Sequence, residues 1–88
     1  MADENARFLA DELERLLSLP LNTKADLKAW YVQADKLQHV LGEKYRSLDF
    51  PHEIWHYLAD ADIRARDASY RRSQETIVRD YINDVRSS

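Results

Sequence analysis

Thr23-Lys24-Ala25-Asp26-Leu27-Lys28-Ala29-Trp30-Tyr31-Val32-Gln33-Ala34-Asp35-Lys36-Leu37-Gln38-His39-Val40-Leu41 is the stretch whose pattern decides the fold. Thr23 is a good N-cap, and Asp26 three residues on makes a capping-box variant that also sets negative charge at the positive end of the helix dipole. From there Leu27, Trp30, Tyr31, Ala34, Leu37, Leu41 and Tyr45 fall within an arc of roughly 120° on a wheel of 3.6 residues per turn. The spacing predicts a helix over 24–46 that turns one face to a core. Gly42 inside it costs about 1 kcal/mol relative to alanine, so the helix is expected to fray there or to be closely approached.

On the N-terminal side, Leu9, Leu13, Leu16 and Leu17 keep the i, i+4, i+7, i+8 spacing of a helix over 3–18, which Pro20 terminates. Phe8 lies off that stripe and needs either another neighbour or a partner molecule. On the C-terminal side, Ser47-Leu48-Asp49-Phe50-Pro51 forms a break, since proline suits the first turn of a helix and not its middle. A third segment over 51–66 then carries Ile54, Leu58, Ala61 and Ala65 inward. Trp55, Ala59 and Ile63 lie about 100° to 180° from that stripe, so this segment has apolar surface on more than one side. The phase changes near 67–69. Tyr70, Ile77, Val78, Tyr81 and Val85 define a new face, with Asp67 as its cap, for a fourth segment over 68–86.

One glycine and two prolines in 88 residues leave little turn chemistry for a sheet. The expected fold class is therefore all-α, a small bundle of three to four helices in a single domain over residues 1–88. A chain this short buries roughly 60 to 65% of its unfolded surface, so the core has to be economical. At 44% hydrophobic and 33% charged residues the chain is expected to fold and to stay in water. No run approaches the ~18 apolar residues of a membrane span. The start, Met1-Ala2-Asp3-Glu4-Asn5, lacks the basic and apolar regions of a secretory signal, and there is no cysteine; a cytoplasmic location is expected.

The formal net charge of −3 divides unevenly. Residues 1–62 hold seven Lys/Arg against twelve Asp/Glu, and residues 63–88 hold six Arg against four acids. Arg72, Arg79 and Arg86 recur every seven residues on one side of the fourth segment, a line that phosphates can meet. Glu75 between Arg72 and Arg79 makes a salt-bridged, solvated face the better account, and nucleic acid is not the expected partner.

One spelling looks like chemistry. His52-Glu53-Ile54-Trp55-His56 matches H-E-x-x-H and resembles the zincin metalloprotease signature, which implies zinc on the two histidines and Glu53 as general base. The resemblance covers five residues, and the chain departs from it in three ways. Pro51 puts His52 on an initial turn and not within a continuous helix. No strand is available to seat a substrate. The third ligand that zinc needs would have to come from Asp60 or His39, neither at a matching spacing. His52 and His56 point away from the Ile54/Leu58 stripe, with His56 in reach of Asp60 at i+4. Asp60 with Arg64 and Asp62 with Arg66 read as ordinary i,i+4 ion pairs.

No glycine-rich phosphate loop, nucleophile elbow or thiol is present, so the chain is not expected to be an enzyme and no cofactor is expected. The leading expectation is a non-enzymatic protein-protein interaction module, with a protein partner or self-association as a homodimer. Trp55, Ile63 and Phe50 are the candidate partner-binding residues, because aromatic side chains are enriched at interface hot spots. The alternatives are a metal-binding protein or minimal metallohydrolase through His52 to His56, and nucleic-acid binding through the C-terminal arginine face.

Overall fold

A computed structural model describes residues 4–46 and 48–87. It contains α1 (Glu4–Leu17), α2 (Lys24–Lys44), α3 (Glu53–Ala59), α4 (Ala61–Arg66) and α5 (Ala68–Ser87), and no strand among the described residues. The all-α bundle expected from periodicity is the fold. The Cα radius of gyration is 12.8 Å, near the about 12 Å of a compact chain of this length.

Each helix is explained by its local chemistry. Thr23 caps α2 as expected, its hydroxyl accepting the Asp26 N–H at 3.0 Å while an Asp26 carboxylate oxygen accepts the Thr23 N–H at 3.1 Å. The same carboxylate accepts the Asn22 N–H, so the entry to the helix is held twice. Asp67 caps α5 through Tyr70 N–H to Asp67 Oδ1 at 3.0 Å. Leu9, Leu13 and Leu16 of α1 and Trp30, Ala34, Leu37 and Leu41 of α2 are buried where the spacing placed them. They meet Ile54, Leu58 and Ala61, with Val78, Ile82 and Val85 of α5 closing the core. The long α5 packs on α1, α3 and α4, and α2 packs on α4, α1 and α3. Trp30 Nε1–H donates to the Leu16 carbonyl at 3.1 Å, which also accepts the Leu19 N–H at 3.2 Å, so a core side chain joins the backbone in closing the end of α1.

The third predicted segment is two helices. Helix α3 starts at Glu53, two residues after Pro51, and ends before Asp60, whose φ of −107° and ψ of 21° interrupt it. That break rotates the chain, so α4 turns Arg64 inward and leaves Ala65 exposed, the reverse of the expected stripe. Tyr57 is also buried, a position that the stripe had not included. On α5, Val78 and Val85 are buried as expected, whereas Ile77 is 38% exposed and Gln74 and Ile82 complete the buried face.

No helix among the described residues is long and apolar enough to cross a membrane.

Candidate functional site

The chain between α2 and α3 has one proline and no glycine, and aromatic side chains pack on either side of Pro51. Phe50 is half-buried against the core and its ring lies 5.1 Å from that of Trp55, tilted by 47°. Trp55 sits on the first turn of α3, on the flank of the buried face, and remains 41% exposed. The two rings edge a groove of about 390 Å³ lined by Leu41, Gly42, Tyr45, Arg46, Leu48, Asp49, Phe50 and Trp55. Phe8, which lacked a neighbour in the sequence pattern, stacks on Tyr45 at 4.9 Å and 17°, so α1 braces the back of that groove.

The structure thus brings Phe50 and Trp55 together. Ile63 is half-buried on α4 and does not line this groove. Gly42, which the pattern had flagged, adds to the site. No glycine has a positive φ, and a Cβ built on Gly42 meets nothing within 4 Å. Neither backbone conformation nor packing inside the molecule calls for glycine at this point.

His52 and His56 do come together, with ring centroids 4.7 Å apart and nearly perpendicular planes. Both are exposed, and His52 is the N-cap residue of α3, making no side-chain cap bond. The residues weighed as a third ligand are elsewhere: Asp60 binds Tyr70 and Gln74, and His39 pairs with Glu43 at 3.0 Å on α2. Among the described residues no group of three or more His, Cys, Asp or Glu stands close enough to hold a metal ion.

The arginine line is engaged with carboxylates over part of its length. Arg86 spans to α1, donating to Glu14 at 2.6 Å and Asp11 at 3.0 Å, and holds the Glu14 carboxyl below its ordinary range. Arg79 lies 3.7 Å from Glu75, whose other oxygen accepts from Arg71 at 3.1 Å. Arg72, which was paired with Glu75 in the sequence pattern, instead reaches Ser69 at 3.4 Å.

The polar cluster that sequence reasoning missed lies at the break. Arg64 is 1% exposed, its guanidinium carbon 4.0 Å from the Tyr57 ring centroid and 4.7 Å from that of Trp30. The two rings stand nearly perpendicular, so the cation fills the corner between their faces. Its Nη1 donates to the Tyr57 carbonyl at 2.6 Å and to Gln74 Oε1 at 2.7 Å, while Nε and Nη2 are buried without a partner. Gln74 Nε2 donates onward to Asp60 Oδ2 at 3.2 Å, and the Tyr70 hydroxyl donates to the same oxygen at 2.6 Å. Asp62 turns the other way, its carboxylate 3.0 Å from the Tyr31 hydroxyl of α2, which also accepts the Asp62 N–H at 3.1 Å. The expected Asp60–Arg64 and Asp62–Arg66 ion pairs therefore do not form, because tertiary partners hold both carboxylates. Nor does His56 reach Asp60 as a partner.

Burial lowers the Arg64 pKa and pushes Tyr57 up to about 12. The Tyr70 hydroxyl is raised chiefly by its hydrogen bond to Asp60. The cluster joins α3, α4 and α5 by donor and acceptor pairs that lie inside the molecule, which is a fold-locking arrangement. A signal for part of it was in the sequence: Tyr57 keeps a helical spacing with Ile54, Leu58 and Ala61, whereas the burial of Arg64 in place of Ala65 follows the break at Asp60.

Comparison of the chain with protein-family models, with curated proteins and with solved structures finds no match.

Proposed function

We propose that this chain is a non-enzymatic helical interaction module that docks a protein partner on the corner between α2 and α3. One observation carries the reading: the Trp55 ring, 41% exposed and paired with Phe50, stands at the edge of a groove beside the open helix backbone of Gly42. A large amphipathic ring gains most from being covered in such a setting, and tryptophan is prominent among residues whose truncation costs an interface most. Leu41, Tyr45 and Leu48 supply an apolar floor, and Arg46 and Asp49 supply a polar rim, the usual anatomy of a protein contact. A cysteine-free composition suits action in the reducing cytoplasm.

The test is site-specific photo-crosslinking in cells making the full chain, with a photoreactive phenylalanine analogue replacing either Trp55 or the exposed Lys28 on α2. Adducts of defined mass from position 55 and none from position 28 are the expected result. Equal labelling at both positions, or none at 55, overturns the docking reading. Stoichiometric zinc in protein purified without a histidine tag, lost in the His52→Ala/His56→Ala variant, would replace this reading with that of a metal-binding protein.

A further inference from the structure

We infer that the partner seated on this corner is a second copy of the same chain, related by a twofold axis that passes near Gly42. The inference rests on the docking reading above and names its occupant. A twofold contact has to be complementary to itself, because the same patch serves both partners. This patch has the required parts. It carries a projecting ring, Trp55, and beside it a groove whose floor is open where Gly42 exposes helix backbone. It carries one cation, Arg46, and one anion, Asp49, on the same rim. Both are exposed, and among the described residues neither enters an ion pair, with each other or with any third group. Rotation by 180° brings Arg46 of one copy to Asp49 of the other twice over, and each Trp55 ring onto the other copy's groove.

Gly42 is the strongest support. Glycine costs stability inside a helix, and here neither a left-handed φ nor an internal neighbour explains it. Close approach of another chain does, since any side chain at 42 would hold the incoming ring away. The patch is small, so the contact belongs at the low end of interface sizes, with dissociation in the micromolar range.

Sedimentation equilibrium of the full chain over a broad concentration series tests this. The wild type is expected to pass from monomer to dimer. Gly42→Leu is expected to weaken association about tenfold or more while the melting temperature holds or rises, so that unfolding cannot account for the loss. Arg46→Asp is expected to weaken it about tenfold, and adding Asp49→Arg to that variant is expected to restore it. A chain that stays monomeric at every concentration overturns the second-copy inference and leaves the docking reading to the crosslinking test. A dimer that Gly42→Leu and Trp55→Ala leave unchanged also overturns the second-copy inference, because the copies then meet elsewhere, and again leaves the docking reading to the crosslinking test. A dimer that Gly42→Leu weakens but the charge exchange does not restore overturns the twofold arrangement.

Discussion

A guanidinium keeps its charge in a folded protein, so burying Arg64 has a cost that its surroundings must meet. They meet it with two ring faces, a carbonyl and the Gln74 amide, and without a carboxylate in contact. Truncating Arg64 to alanine leaves a cavity, opens both rings and strips a donor from two buried acceptors. Urea unfolding of Arg64→Ala should therefore show a loss of about 3 kcal/mol. Arg64→Met fills the space and removes the buried charge, and should cost less, about 1–2 kcal/mol, for the two acceptors left short. Tyr57 provides the pH dependence. Its folded pKa lies above its unfolded value near 10, so the neutral phenol is favoured by folding. Its contribution is fully present below pH 10 and lost as pH rises through about 12, a fall of roughly 2–3 kcal/mol. Thermal melts between pH 9 and 12 should show that decline, and Tyr57→Phe should reduce it, leaving the smaller share of Tyr31, Tyr70 and Tyr81, whose hydroxyls folding also raises. Arg64 and Tyr57 were hard to see in the sequence because a stripe is scored by apolar type, and these two residues enter the core by their flat faces.

Among the elements, α2 is the one whose local and global signals agree. Its capping box satisfies helix-end N–H groups by side chains alone, so Thr23→Ala should lower stability by about 1 kcal/mol without altering the fold, read from the chemical-denaturation midpoint. Gly42→Ala should act the other way and stabilise the chain by about 0.5–1 kcal/mol, since the backbone is helical and a methyl group meets nothing. A melting temperature that falls in Gly42→Ala would mean that the position is packed. The third predicted segment shows the opposite case. Its start after Pro51 was legible from backbone chemistry, but the interruption at Asp60 was not. No proline or glycine marks it; Tyr70 and Gln74, ten and fourteen residues away, hold the Asp60 side chain in place. The rotation at that break explains why Ala65, placed inward by an unbroken wheel, is outside.

Across the whole molecule, α5 gathers the other elements by lying on α1, α3 and α4. Its last turn is fastened to α1 by Arg86 between Asp11 and Glu14, at the surface and open to screening. Raising salt should lower the melting temperature of the wild type slightly, and Arg86→Gln should reduce that salt dependence. Helical class, the entry and face of α2, the C-terminal end of α1 and the cap of α5 were determined by the sequence alone. Periodicity, side-chain capping and proline act within a few residues of where they are written. Tertiary structure decided which of Arg64 and Ala65 is buried, that Arg86 meets α1 instead of open solvent, and that Asp60 and Asp62 diverge to different helices. It also decided that Phe50 and Trp55 share a groove with Gly42 while Ile63 does not. Those outcomes depend on which partners the packing of five helices brings within reach, a property of residues distant in sequence that no local periodicity carries.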